Sequence, residues 1–227
     1  RKVRYKIRKK KQEVKIRKTK IREGRTYQDF IKYKNDYFIE HYEEANIVQM
    51  DTVVGPNIEN QSCILTLLFE NSRFLMIFKL ANKTMSEVDK VFDYLRSTLG
   101  LDLFSYLFQI ILTDNGSEFF DVNHIENNEA YPKTHLFFCD PMQSQQKGRI
   151  EVAHEYIRRY IPKGSSFNDL SQDDLTFISN NINSIPRDKL RGMDAFKIQE
   201  FFTPDEFFTK LNFKEINSKD IIIKKYN

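Results

Sequence analysis

Three carboxylates stand where a carboxylate is either costly or poised for chemistry. Asp51 lies in the middle of an apolar run, IVQMDTVV over residues 47–54. A lone buried carboxylate costs several kcal/mol unless a partner, hydrogen bonds or a metal offsets it; the plainer alternative is a strand-end Asp that accepts backbone N–H bonds. Asp114 closes the run Ile110–Ile111–Leu112, at the carboxyl end of a strand, where α/β sheets place their ligands. Standing before Asn115 and Gly116, it equally suits a turn. Glu151 follows Lys147–Gly148 at the start of a helical pattern. It stands at the edge of the apolar stripe Ile150, Ala153, Ile157, Tyr160 and Ile161, from which it could turn inward, whereas Glu155 reads as solvated surface. Two carboxylates on neighbouring strands and one on a packed helix can hold two divalent cations, and oxygen donors suit Mg2+ or Mn2+ rather than zinc. Such a pair supports in-line phosphoryl displacement without a His or Cys nucleophile. None of the four histidines falls in a zinc or triad arrangement.

The elements that must position these groups can be read from the same sequence. Residues 47–54, 62–69 and 73–80 are apolar, β-rich runs separated by turn residues, a meander of antiparallel strands. Residues 84–99 carry Val88, Val91, Phe92, Leu95 and Leu99 at helical spacing, with Gly100 to stop the helix. Residues 108–112 and 135–139 supply two further strands; 148–160, 173–183 and 204–211 supply helices. That order is α/β and predicts a mixed five-stranded sheet with helices on both faces. The ribonuclease-H-like fold has it, as do other α/β folds. The domain reading is a basic arm (1–26), a linker with short helical turns (27–45), a catalytic core (46–190) and a C-terminal helical extension (191–227).

Charge is concentrated at one end. Residues 1–25 hold 14 Lys and Arg against Glu13 and Glu23, while the remainder carries 22 bases against 30 acids. A basic arm on an acidic body suits a nucleic-acid binder with a localised contact; a solubilising tail is the alternative. Val3, Tyr5 and Ile7, and again Val14 and Ile16, alternate with basic residues, so the arm could pair as a strand. Two cysteines, Cys63 and Cys139, make no disulfide framework, and no CxxC pair suggests zinc. The longest apolar runs are too short for a transmembrane helix, the basic start is not a signal peptide, and a reducing cytoplasmic setting follows. Arg1 in place of Met is what a fragment of a longer protein would show.

QMDTVVG around Asp51, ILTDNGSEF around Asp114 and FFCDP…QQKGRIEVAHEYIRRYIPKG around Glu151 resemble the DDE transposases of the insertion-sequence-thirty family. The resemblance runs from about Asn46 to Arg187, and the K/R-G-x-x-E helix ending in R-x-Y-x-P-K is its most specific part. Spacings of 63 residues between the aspartates and 37 to the glutamate match the D-D-(about 35)-E pattern. It implies a ribonuclease-H-like integrase catalytic core, two divalent metals (Mg2+ or Mn2+) held by Asp51, Asp114 and Glu151, and cutting and joining of transposon ends. Lys147, Arg149, Arg158, Arg159 and Lys163 fall in the basic segment around the third carboxylate and are expected on DNA phosphates by charge alone. Double-stranded DNA, as transposon ends and target, is the implied partner, with no membrane, a homo-oligomer on DNA, and a bacterial, nucleoid-associated location. The helix-turn-helix units usual at the start of such enzymes are not seen before residue 46, and Met142–Gln143–Ser144–Gln145 departs from the usual aromatic. Two other functions stay open: a metal-dependent nuclease of the same fold, for which Glu70 or Glu118 is the nearby fourth carboxylate, and a catalytically dead DNA-binding remnant.

Overall fold

The structure is a computed structural model that describes residues 11, 13, 15, 17–56, 61–126 and 134–222. Its elements are α1 (Tyr27–His41), β1 (Ile47–Val54), β2 (Cys63–Phe69), β3 (Leu75–Leu80), α2 (Met85–Leu99), α3 (Leu101–Leu107), β4 (Ile110–Thr113), α4 (Val122–Glu126), β5 (His135–Phe138), α5 (Gly148–Tyr160), α6 (Gln172–Asn183), α7 (Ala195–Glu200) and α8 (Asp205–Lys210). Short 3-10 turns precede α4 and α5.

The five strands form one sheet in the order β3-β2-β1-β4-β5. β1, β2 and β3 are antiparallel neighbours, and β4 and β5 add in parallel. This is the mixed ribonuclease-H-like sheet expected from the element order. Side chains alternate across it. Val48 and Met50 enter a core with α2 and α3, while Val53 and Ile64 face α5 and α6. Ile47, Ile110, Leu112 and Phe137 face α1. β2 is buried along its whole length, as a strand covered on both faces must be.

Two expectations need correction. The segment read as a linker is a single 15-residue helix, α1, opened by a Thr26–Asp29 capping box. Its core-facing stripe, buried Phe30 with half-buried Tyr27, Tyr33 and Tyr37, is largely phenolic, so the 3.6-residue period is masked by polar tips. Tyr33 and Phe30 pack on His135 and Phe137 of β5. The C-terminal segment is likewise no appendage. Phe196, Phe207, Phe208 and Phe213 surround Phe74 within the core that contains α2.

Of the basic arm, residues 17–22 are helical. Ile21 packs against the core, Arg22 Nε donates to Asn115 Oδ1, and Arg25 forms a two-point ion pair with Glu126. The arm therefore arrives beside Asp114. Val3, Tyr5, Ile7, Val14 and Ile16 lie outside the described residues.

Candidate active site

Strand register brings the two aspartates side by side. β1 runs parallel to β4 with Gln49 opposite Leu112, so two residues further on Asp51 stands level with Asp114. Asp51 uses Oδ1 to accept the Thr52 N–H at 2.8 Å. Asp114 uses Oδ1 to accept the Gly116 N–H at 2.8 Å, so it makes the turn its sequence suggested and still presents Oδ2 to the site. Both remaining oxygens face one ammonium: Lys147 Nζ is 3.0 Å from Asp51 Oδ2 and 3.8 Å from Asp114 Oδ2.

Lys147 was expected on DNA. Instead it is buried, only 5% exposed, because two adjacent carboxylates repel unless a cation lies between them. Glu151 is exposed. It precedes His154 by three residues, so the two share one flank of α5, and Lys147 caps the N-terminus of that helix. Among the described residues no three His, Cys, Asp or Glu side chains group closely enough to hold a metal. The donor chemistry nevertheless fits a hard divalent cation. Two carboxylate oxygens already converge on a positive charge, and a third carboxylate stands on the adjoining helical flank.

A second cation and a fully buried acid lie beside this pair. Glu118 is 1% exposed; its Oε1 accepts from Thr52 Oγ1 at 2.7 Å and pairs with Lys83 Nζ at 3.0 Å. Burial alone would lower the Lys83 pKa, but Glu118, with Asp114 and Asp51 beyond it, holds it above its usual value. Gly116 packs closely here: a Cβ would lie 2.5 Å from Glu118 Oε2, so the carboxylate would have to shift. Glu70, the other fourth-acid candidate, instead accepts from Gln49 Nε2 at 2.7 Å and pairs with Arg149 at 3.0 Å. Sequence reasoning misses Lys83 and Thr52, since neither spacing nor neighbours distinguish them from surface residues.

On the α5 face of the sheet, Thr66 stands opposite Asp51 in register. Its hydroxyl donates to Asp51 O at 3.0 Å and lies 2.9 Å from His154 Nε2. Burial pushes the His154 pKa down to about 4; Asp51 opposes this, while Lys147 and Arg158 add to it. The folded protein therefore takes this proton only near pH 4, whereas the unfolded chain takes it near 6.5. The associated stability is complete above about pH 6.5 and lost as pH falls toward 4, a loss on the order of 2 kcal/mol by pH 5. His154→Gln should flatten the thermal-stability profile between pH 7 and 5. An unchanged slope would show that other groups set it.

The remaining basic residues diverge. Arg158 donates to Val54 O at 3.2 Å on the active flank. Arg149 and Arg159 lie on the opposite flank of α5, Arg159 stacked 4.5 Å from the Tyr156 ring centre. Lys163 is exposed beyond the helix end.

Sequence comparison finds relatives among integrases and insertion-sequence transposases. The chain is 35% identical over 144 residues to a putative integrase of Spiroplasma virus SpV1-R8A2 B, covering 63% of this chain and 41% of that protein. It is 28% identical over 175 residues to the transposase of insertion element IS4351 from Bacteroides fragilis (76% and 47%). Over 130 residues it is 28% identical to transposase InsI of element IS30C from Escherichia coli K12 (57% and 32%). The chain is homologous to insertion-sequence transposases. It spans less than half the length of these transposase and integrase relatives, and no protein-family model matches it. In fold it is similar to a chain of the simian T-cell lymphotropic virus intasome complexed with PP2A regulatory subunit B56 gamma. The TM-score is 0.52 at 14% identity, covering 70% of this chain and 55% of the other.

Proposed function

We propose that this chain is the catalytic part of a DNA transposase, a polynucleotidyl transferase that cuts and joins insertion-sequence ends. The observation that carries the reading is the convergence of Asp51 and Asp114, from adjacent parallel strands, on a single cationic position. Asp51, Asp114 and Glu151 are the groups that would hold divalent metal. Mg2+ or Mn2+, when bound, supplies activation of the attacking oxygen and stabilisation of the leaving one. The protein's own residues prepare that place. Thr52 N–H and Gly116 N–H each occupy one aspartate oxygen and leave the other turned toward the position that Lys147 Nζ holds and a metal would take. Lys147 screens the mutual repulsion of the aspartates, and Thr66 ties the Asp51 backbone to the neighbouring strand and to His154. Arg158 and Lys163, on and beyond the same flank as Glu151, offer positive charge to phosphates of the DNA being cut. The enzyme acts as a homo-oligomer on paired ends, in the bacterial cytoplasm. No helix among the described residues is long and apolar enough to cross a membrane.

Strand transfer of a labelled oligonucleotide end into a target duplex with Mg2+ or Mn2+ tests the reading. Cutting without joining would favour the nuclease alternative, and neither activity would sink both.

Lys147 gives a test that does not depend on catalysis. In Lys147→Gln the two aspartates lose their shared ammonium, so the variant in EDTA should melt lower than the parent. Mn2+ should then raise its melting temperature more than it raises the parent's, since no side-chain cation competes. Equal Mn2+ shifts would mean that the metal does not bind between these aspartates.

Residues 1–16 carry nine bases against one acid. Their deletion should flatten the dependence of DNA affinity on salt, by about 0.9 in log–log slope for each phosphate that the arm neutralises. An unaltered slope would make the arm a passive tail.

A further inference from the structure

The flank of α5 turned away from the carboxylates borders a groove of about 610 Å3, closed on its other sides by the β2–β3 turn and residues 186–190. Five bases line it, Arg73, Arg149, Arg159, Arg187 and Lys189, against two acids, Glu155 and Asp188. At 100° per residue, Arg149, Tyr156 and Arg159 form a stripe on the opposite side of the buried Ile150–Ala153–Ile157 row from Glu151 and His154. The groove is therefore separate from the candidate active site, although both belong to one helix.

Several features of this groove are unfavourable for a protein that leaves it empty. Arg73 adopts a left-handed backbone conformation, φ 63°, which costs a non-glycine residue about 1–2 kcal/mol. Its Nη1 is buried without a hydrogen-bond partner among the described residues, as is Nε of Arg187; each unsatisfied donor costs about 1–3 kcal/mol. Arg187 and Arg159 both stack over Tyr156, with guanidinium carbons 4.7 and 4.5 Å from its ring centre. That stacking fixes two like charges near each other. Of the five bases, only Arg149 forms an ion pair among the described residues, with Glu70. Planar guanidinium groups with free N–H donors match phosphate oxygens two at a time. The ten residue steps from Arg149 to Arg159 extend about 15 Å along the helix, the rise of roughly four nucleotides of one strand.

We infer that this groove binds the phosphodiester backbone of a DNA duplex segment other than the one lying against Asp51 and Asp114. The inference rests on the reading that the chain works on DNA, but not on its cutting DNA. Arg73, Arg187 and Lys189 thereby join Arg149 and Arg159 as phosphate-contacting residues, and Lys147 leaves that set.

The test is fluorescence anisotropy of a labelled duplex with the full chain in EDTA, across a salt series. Arg73→Gln with Arg159→Gln should weaken binding about 10-fold near 0.1 M salt and reduce the log–log salt slope by about 2. A charge-matched control, Lys90→Gln with Lys210→Gln, removes two lysines elsewhere on the surface and should leave the slope nearly unchanged. Equal effects of the two double variants would overturn the inference, since only total charge would then matter. If Arg73→Gln prevents folding, as judged by circular dichroism, Arg159→Gln with Lys189→Gln decides by the same criterion, because neither side chain is enclosed in the core. A protein that joins DNA ends while its groove variants keep the parental slope refutes the groove alone. One that binds through the groove but never cuts refutes the proposed catalysis alone.

Discussion

Asp51→Asn is expected to reduce DNA cutting and joining by at least about 1,000-fold while DNA affinity in EDTA stays within a few fold. The substitution keeps the size of the side chain and an oxygen able to accept the Thr52 N–H. It removes the charge that Asp51 Oδ2 presents beside Lys147. Weakening the electrostatic stabilisation of a phosphoryl-transfer transition state costs several kcal/mol, and each 1.4 kcal/mol is about tenfold in rate. DNA affinity draws on Lys and Arg side chains elsewhere. Single-turnover cleavage and binding measured on the same preparation separate the two quantities. Near-parental cleavage by the Asn variant with Mg2+ would remove Asp51 from the chemistry.

The second large effect is on stability. Phe74 is fully buried and meets Phe196, Phe207, Phe208 and Phe213 at ring-centre distances of 5.1, 5.8, 5.7 and 5.1 Å. Phe74→Ala leaves a cavity that four rigid rings cannot collapse to fill, so a loss of about 3–5 kcal/mol is expected. For a chain of this size the melting temperature should fall on the order of 10 °C. Denaturant unfolding measures it directly. A loss below about 1 kcal/mol would show that residues 195–213 are a loosely attached addition to the sheet.

What the sequence discloses divides along physical lines. The strands are legible because their apolar runs are dense and bounded by turn residues, and α2 because Val88, Val91, Phe92, Leu95 and Leu99 make an aliphatic and aromatic stripe free of polar tips. α1 is hidden by tyrosines, and α3 by its seven-residue length. At the site, Asp51 and Asp114 are conspicuous as charge at the heart or end of apolar runs. Lys147 misleads because a lysine in a basic segment resembles surface, and only the register of β1 on β4 creates the negative pocket that draws it inward. Glu118 can be named from its nearness to Asp114, but its pairing with Lys83 and Thr52 depends on a contact between segments far apart in the chain.

Gln49 ties the helix to the strand. Its Oε1 accepts the Ile150 N–H at 2.9 Å at the start of α5, and its Nε2 holds Glu70 at 2.7 Å. The axial position of α5 is thus set by a residue two places from Asp51 rather than by the connection that leads out of β5. Insertions or deletions in that connection can change the number of residues between the second and third acids without moving the helix along the sheet. The interval of 37 residues then reflects the length of that connection, and a shorter or longer one is compatible with the same placement of α5 while Gln49 grips the helix start.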